Sequence, residues 1–288
     1  MHILVLLCGD DAVTALDAGT RQRLDTSDFN VAYHELPALP KRKDLAVLDD
    51  AAKYILPVDT TPSLDEIAAR PDVEHMGSPA PAPQKPQEPL RFIVVGDDAA
   101  LSAVMTRMMR GDYLWAELAY LPTEPRSHAA RSWGIPEEPD AAWDLAIRGA
   151  AQPTPTLRTD AGIAVAGSAT IEDAEERHFY GEIIVDDAVL SRGDCTFGAR
   201  LAPMLDAPGV AAVTLEEYRP TLLKQILRPF LKSKPKHRPN PDTLLTGRAV
   251  QAGGDSILVN VDGVPAKRPV NRVTFYRHLR DLQAVRPA

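Results

Sequence analysis

The chain has 288 residues, 44% hydrophobic and 25% charged, with a formal net charge of -8 at pH 7. That length accommodates two modest domains or one large one, the composition supports a packed core and excludes global disorder, and the acidic balance argues against a general nucleic-acid binder. Cys8 and Cys195 show no pair spacing and the seven histidines contain no HxxxH or HExxH, which indicates neither a disulfide framework nor a zinc site.

The N-terminal MHILVLLCGDD lacks a basic region and its apolar run is too short for a signal peptide. No stretch approaches the ~20 apolar residues of a membrane span, so a cytoplasmic protein is expected. Met1 to Leu7 reads as a buried strand, Ala12 to Leu24 as weakly helical, and Phe29 to Leu36 as a second strand. Ala46 to Tyr54 and Leu64 to Ala69 read as short helices. Pro79 to Pro89 holds five prolines in eleven residues, an extended linker or surface loop without core residues.

Leu90 to Val95 is the clearest strand. Leu101, Val104, Met105 and Met108 follow at i, i+3, i+4 and i+7, one buried face of a helix that Gly111 ends. Trp115 to Leu121 reads as a strand, and Arg126 to Trp133 as a short helix stopped by Gly134 and Pro136. This alternation implies a parallel α/β layer. A further helix, Ala141 to Ile147, ends at Gly149. Beyond it come short strand-like runs at Thr156–Thr159, Gly162–Val165, Gly181–Leu190, Val210–Leu215, Arg248–Val250, Ile257–Val261 and Val273–Phe275. They predict an antiparallel sandwich. The expected division is an α/β domain over 1–138 and a β domain over 139–288, with a cleft between them.

Several segments occur in the order found in diacylglycerol kinase-like lipid kinases, relatives of sphingosine kinases and, in fold, of NAD kinases. VVGDDAAL, Val94 to Leu101, resembles the family's VVGGDGTL nucleotide turn. LPTEPRSHAARSWGIP, Leu121 to Pro136, is similar to its P-L-G-T-x-N-D-F-A-R-x-L-G-I-P segment. GARLAPMLDAPGVAAVTL and ILVNVDGVPAKRPV resemble its β-domain segment and its late VDGE turn. The likeness spans about 90 to 288, and no N-P-x-S-G turn follows the first strand. It implies a NAD kinase/diacylglycerol kinase-like fold: an N-terminal α/β domain with a parallel sheet and a C-terminal antiparallel β-sandwich domain. If the family activity is retained, it also implies ATP and magnesium as cofactors.

Phosphoryl transfer needs a phosphate cradle, a magnesium ion and an acceptor for the hydroxyl proton. By the resemblance, Gly96, Asp97, Asp98, Ala99, Arg126 and Ser127 occupy the cofactor-binding positions and Asp262 that of the general base. No metal ligands are assigned. The cradle departs from the family. Asp97 replaces the second glycine, Ala99 the third, and Ala100 the threonine. Glu124 and Pro125 enter the second phosphate segment, one adding charge and the other removing an N–H donor. A carboxylate beside a polyanion costs about 4 kcal/mol at 4 Å and an effective dielectric of ~20.

The same residues also read structurally: Asp98 as a helix N-cap, Arg126 as a solvated helix start, and Asp262-Gly263 as a type I′ hairpin. Three functions stay open: a descendant with lost or altered ATP binding that uses the cleft for another ligand or partner, an active divergent lipid kinase, and a non-enzymatic interaction protein. Tyr218 to Arg238 holds seven Lys or Arg and no acid. As a basic amphipathic helix it suits a lipid or anionic membrane surface, and as a core-facing helix it needs no partner. The partners expected are thus a peripheral membrane surface or a homodimer, and not nucleic acid.

Overall fold

The N-terminal apolar run forms β1 (His2–Cys8), followed by α1 (Asp10–Ala15), α2 (Ala18–Asp25), β2 (Asn30–Leu36) and α3 (Ala46–Ile55). The chain then runs through β3 (Leu90–Gly96), α4 (Asp98–Arg110), β4 (Glu117–Pro122), α5 (His128–Trp133), α6 (Pro139–Arg148) and β5 (Ala151–Thr154). The structure is a computed structural model that describes residues 1–25, 28–56, 66, 77–84, 86–175, 177–217 and 237–288. The helix expected over Leu64–Ala69 lies outside the described residues, apart from residue 66, and so do residues 218–236 of the basic segment.

β1 and β3 pair in parallel near the centre of a six-stranded sheet. Every residue of β3 is buried, as a strand covered on both faces requires. Ile3, Val5 and Leu7 face Leu24 of α2 and Trp143 of α6. Leu4, Leu6 and Phe92 face α3, α4 and α5 on the other side. The α4 stripe of Leu101, Val104, Met105 and Met108 is buried as its spacing predicts. The weak helix of Ala12–Leu24 is two helices instead. Asp17 interrupts it by accepting a 2.7 Å bond from the Thr20 N–H, an N-terminal cap.

The C-terminal half continues with β6 (Leu157–Thr159), β7 (Ala164–Val165), β8 (Ala169–Asp173), β9 (Phe179–Val185), β10 (Ala188–Thr196), β11 (Ala199–Pro203) and β12 (Val210–Glu217). After these come β13 (His237–Gly247), β14 (Ala249–Val261), β15 (Val264–Pro265), β16 (Val270–Arg277) and β17 (Leu282–Val285). β6 to β16 form one antiparallel sheet of 11 strands around a core that includes Ile171, Phe179, Ile183, Leu201, Val250 and Phe275. The run Gly181–Leu190 is a hairpin of two strands, turned at Asp186 with φ 52°. Ala249–Val250 and Ile257–Val261 belong to one strand, β14, and Arg248 lies in the bend just before it. The strand pairs with β9 at its start and β8 at its end, and so carries the polar stretch between them.

The first sheet has the order β2-β1-β3-β4-β17-β5. α6, just past the expected division at 138, packs Ala142, Trp143, Ala146 and Ile147 on this sheet. β17 returns to it in parallel with β4. The chain therefore crosses between layers twice, after β5 and after β16. The proline segment 79–89, described except for residue 85, has neither helix nor strand. It is a surface excursion, tied by the Ala80 N–H to Asp281 at 3.0 Å and by the His2 N–H to the Pro89 carbonyl at 2.9 Å, but Ala82 packs against the first core and Gln84 is buried, which corrects the expectation of a segment without core residues.

Candidate functional site

The turn between β3 and α4 begins at Gly96. A side chain there would bring a Cβ to 3.0 Å from both Cys8 and Ala100, so close packing alone accounts for this glycine. Asp97 follows with extended backbone and caps α4: its Oδ1 accepts from the Ala100 N–H at 2.7 Å. The N-cap is therefore Asp97, and the reading of Asp98 as that cap is corrected. Asp98 is the first helical residue, and its carboxylate reaches across to α5. Oδ1 accepts from the Ser127 hydroxyl at 2.6 Å and the Tyr120 hydroxyl at 3.0 Å. Oδ2 accepts from the N–H groups of His128 at 2.8 Å and Ala129 at 3.3 Å. Ser127 is buried and caps α5 through Ala130.

Asp262 and Gly263 have φ 49° and 83°, and Val261 pairs with Val264 across them. Two left-handed residues in a two-residue loop make the type I′ hairpin that Asp-Gly predicts. The turn also aims the Asp262 carboxylate at the loop 166–168. Oδ2 accepts from Ala166 N–H at 2.7 Å, and Oδ1 from Gly167 and Ser168 N–H, both at 2.8 Å. Burial pushes the Asp262 carboxyl up to about 7; the three N–H groups pull the other way, and the Asp98 carboxylate adds to the rise. Gly167 lies between the two acids: a Cβ on it would stand 2.7 Å from Asp98 Oδ2.

Asp97, Asp98, Ala99, Arg126 and Asp262 all line one cavity of about 560 Å³ between the two layers. Gly96 and Ser127 do not line it; they lie in the packed material beneath. Among the described residues, no three His, Cys, Asp or Glu side chains gather closely enough to hold a metal ion. A second cavity of about 820 Å³ adjoins the first through Leu39, Ala99 and Val264, and is walled largely by apolar residues of α4, β14 and β16.

Sequence reasoning missed Arg200, His128 and Asn260, which share the smaller cavity. Strand alternation is the signal that marks Arg200. Ala199 and Leu201 beside it are fully buried in the β core, so its own side chain leaves by the other face.

No family model and no curated protein matches the chain. A diacylglycerol kinase from Bacillus anthracis superposes with a TM-score of 0.57 at 12% identity, covering 99% of this chain and 96% of that one. A second structure from the same organism, a candidate diacylglycerol kinase, superposes with a TM-score of 0.57 at 14% identity, covering 100% and 98%. The chain has the diacylglycerol kinase fold. The expected N-terminal parallel α/β domain and C-terminal antiparallel β domain agree with that fold. At this identity the likeness speaks to the architecture only.

Proposed function

We propose that this protein is a diacylglycerol kinase-fold protein that holds a ligand in its interdomain cleft without holding ATP on the Gly96–Ala100 turn. The observation that carries the reading is the Asp97 carboxylate at the start of α4. An anion-binding turn offers helix N-terminal N–H groups to a phosphate. Here the chain supplies the anion itself: Asp97 occupies the Ala100 N–H, and Asp98 occupies those of His128 and Ala129. The residues present therefore do not fit ATP bound in the family's manner.

Isothermal titration with magnesium–ATP should give no low-micromolar binding, and a measured low-micromolar affinity would refute the reading. The double change Asp97→Gly with Ala99→Gly should raise nucleotide affinity measurably. It should also cost about 1 kcal/mol of stability, mostly from placing glycine for Ala99 in the first turn of α4, since glycine at the N-cap costs only a few tenths.

A divergent lipid kinase is the second reading, favoured by one observation. Asp262 faces the cleft with its carboxyl pushed up to about 7, suited to accept a hydroxyl proton near neutral pH. Transfer of labelled phosphate to diacylglycerol, lost in Asp262→Asn, would decide for it.

The basic segment Tyr218–Arg238 supplies a further expectation, of affinity for anionic membranes. Attraction of about 1 kcal/mol per Lys or Arg near the surface should fade as salt shortens the Debye length below ~8 Å. Co-sedimentation with phosphatidylglycerol vesicles should therefore fall at high salt and on changing Lys232, Lys234 and Lys236 to Glu. Equal, negligible sedimentation of both proteins would remove the membrane from the proposal. Among the described residues no helix is long and apolar enough to cross a membrane.

A further inference from the structure

The two walls of the smaller cavity belong to different layers. Asp97, Ala99 and Arg126 stand on the α/β layer, and Asn260 and Asp262 on the β layer. The chain joins the layers at two crossings, residues 155–156 and 278–281, so the angle between the walls is set there. The crossings run side by side. Leu157 pairs with Arg277 at one end and Thr154 with Leu282 at the other, and between them the His278 N–H donates to the Thr156 carbonyl at 2.7 Å. A few residues at the ends of elements are what a hinge between two layers needs.

The proline segment fastens this hinge. Arg277 ends β16 and Asp281 precedes β17, so the two stand on either side of the second crossing. Arg277 Nη2 donates to both carboxylate oxygens of Asp281, at 2.9 and 3.2 Å, and the pair is buried. Arg277 Nη1 donates to the Gly77 carbonyl at 2.7 Å, and Asp281 Oδ2 accepts from the Ala80 N–H at 3.0 Å. The segment thus bonds both members of the pair that spans the crossing. Farther along it is fixed to the α/β layer: Ala82 packs on the first core, and the Gln87 N–H donates to the Ile55 carbonyl at 3.3 Å. The docked arrangement also strands polar groups. Both amide atoms of Gln84, Thr156 Oγ1 and His278 Nε2 are buried with no hydrogen-bond partner among the described residues, and such groups regain their bonds where water reaches them. Charge-assisted bonds set against stranded groups on the segment and the hinge describe an element with a second arrangement within reach.

We infer that residues 77–84 are a latch on the interlayer hinge: docked on Arg277 and Asp281 they hold the walls of the cleft together, and released they let the walls separate. The inference goes beyond the reading of the cleft as a ligand site and does not depend on it, since it concerns the movement of the walls and not what lies between them. Pro79, Pro81 and Pro83 suit a latch, because a stiff segment loses little conformational freedom when it docks. The layers also meet away from the hinge, where the Ala164 N–H of β7 donates to Thr106 Oγ1 of α4 at 2.9 Å. That amide reports separation of the walls.

Hydrogen exchange of the full chain, followed by mass spectrometry, tests the latch without a ligand. Ala80→Pro removes the N–H that Asp281 accepts, at a residue already flanked by Pro79 and Pro81. Pro79→Gly with Pro81→Gly keeps every bond of the latch and slackens it. Ala80→Pro should speed exchange by about tenfold or more, as loss of a hydrogen bond to a charged group implies, and the glycine pair by about a few-fold. The rise should come in two places at once: at the hinge, 156–157 and 278–282, and at Ala164 on the far side of the cleft. β3 should exchange as in the wild type. If Ala80→Pro does not fold, the glycine pair carries the test in the same direction. Faster exchange confined to 77–89 would make the segment a passive loop, and a rise shared equally by β3 would make it a matter of global stability. Either result overturns the latch, as does exchange unchanged in both variants.

Discussion

Replacing Asp98 with alanine should lower the stability of the whole protein by about 3 kcal/mol or more, a far larger effect than any other single change at the turn. The reason is the number of donors the carboxylate satisfies. Tyr120 and Ser127 give it their hydroxyls, and His128 and Ala129 their backbone N–H groups. Tyr120 and Ser127 are buried, so water cannot readily replace the lost acceptor; the Tyr120 hydroxyl keeps the Gly96 carbonyl at 3.2 Å, and each donor that is left stranded costs roughly 1–3 kcal/mol. Asp98→Asn should fall between, because one amide oxygen remains as acceptor while the NH₂ faces other donors.

Asp97→Ala, which removes only a cap, should cost about 1 kcal/mol. Urea denaturation of the three variants measures the series. If Asp98→Ala keeps the wild-type midpoint, the carboxylate does not join α4 to α5, and its place at the cleft is free for ligand. If the midpoint falls as expected, Asp98 is a structural residue that also borders the cavity. Its replacement would then be a poor test of binding.

The second large effect is in pH dependence. In the folded protein the Asp262 carboxyl is pushed from 3.8 up to about 7. In the unfolded chain it titrates near its ordinary value. Between those two values the folded state keeps a proton that the unfolded state has released. The contribution of Asp262 to stability is therefore full below about pH 4 and is lost as pH rises through about 7, by at most about 4 kcal/mol at about 1.4 kcal/mol per unit. This is the reverse of an ion-paired aspartate.

Asp262→Asn should remove the decline while suiting the backbone, since asparagine adopts a φ of 49° more readily than most residues. The amide will cost some stability at every pH, because one N–H of the loop 166–168 loses its acceptor. The readout is consequently the slope of stability between pH 4 and 7, not its level. Parallel slopes for wild type and Asp262→Asn would show that the three N–H bonds outweigh burial and that the carboxylate stays ionised.

The layer pattern was legible in the chain because it is written in local periodicities. Leu90–Val95 could only be a strand buried on both sides, and Leu101, Val104, Met105 and Met108 could only be one helical face. Asp-Gly at 262–263 specified its own turn, since few residue pairs accept two left-handed conformations. The eroded glycines at 97 and 99 were equally plain, and with them the doubt about a nucleotide.

What the chain could not show is where long-range partners fall. Leu282–Val285 is too short to read as a strand, yet it enters the first sheet because β4 offers an open edge. Arg91 looks misplaced in a buried strand until its guanidinium is seen bonded to Glu117 and to the carbonyls of Ala146, Ile147 and Gly149 at the end of α6. There a cation meets the negative end of a helix. The site follows the same rule. Asp98, Asp262 and Arg200 lie 62 or more residues apart, counting 98 to 200 and 200 to 262. Only packing of the β hairpin and β11 against α4 and α5 sets two acids on either side of Gly167 and a cation on the facing wall. Local sequence can specify a turn or a helix face, but the sum of charges in a cavity is decided by which distant elements close it.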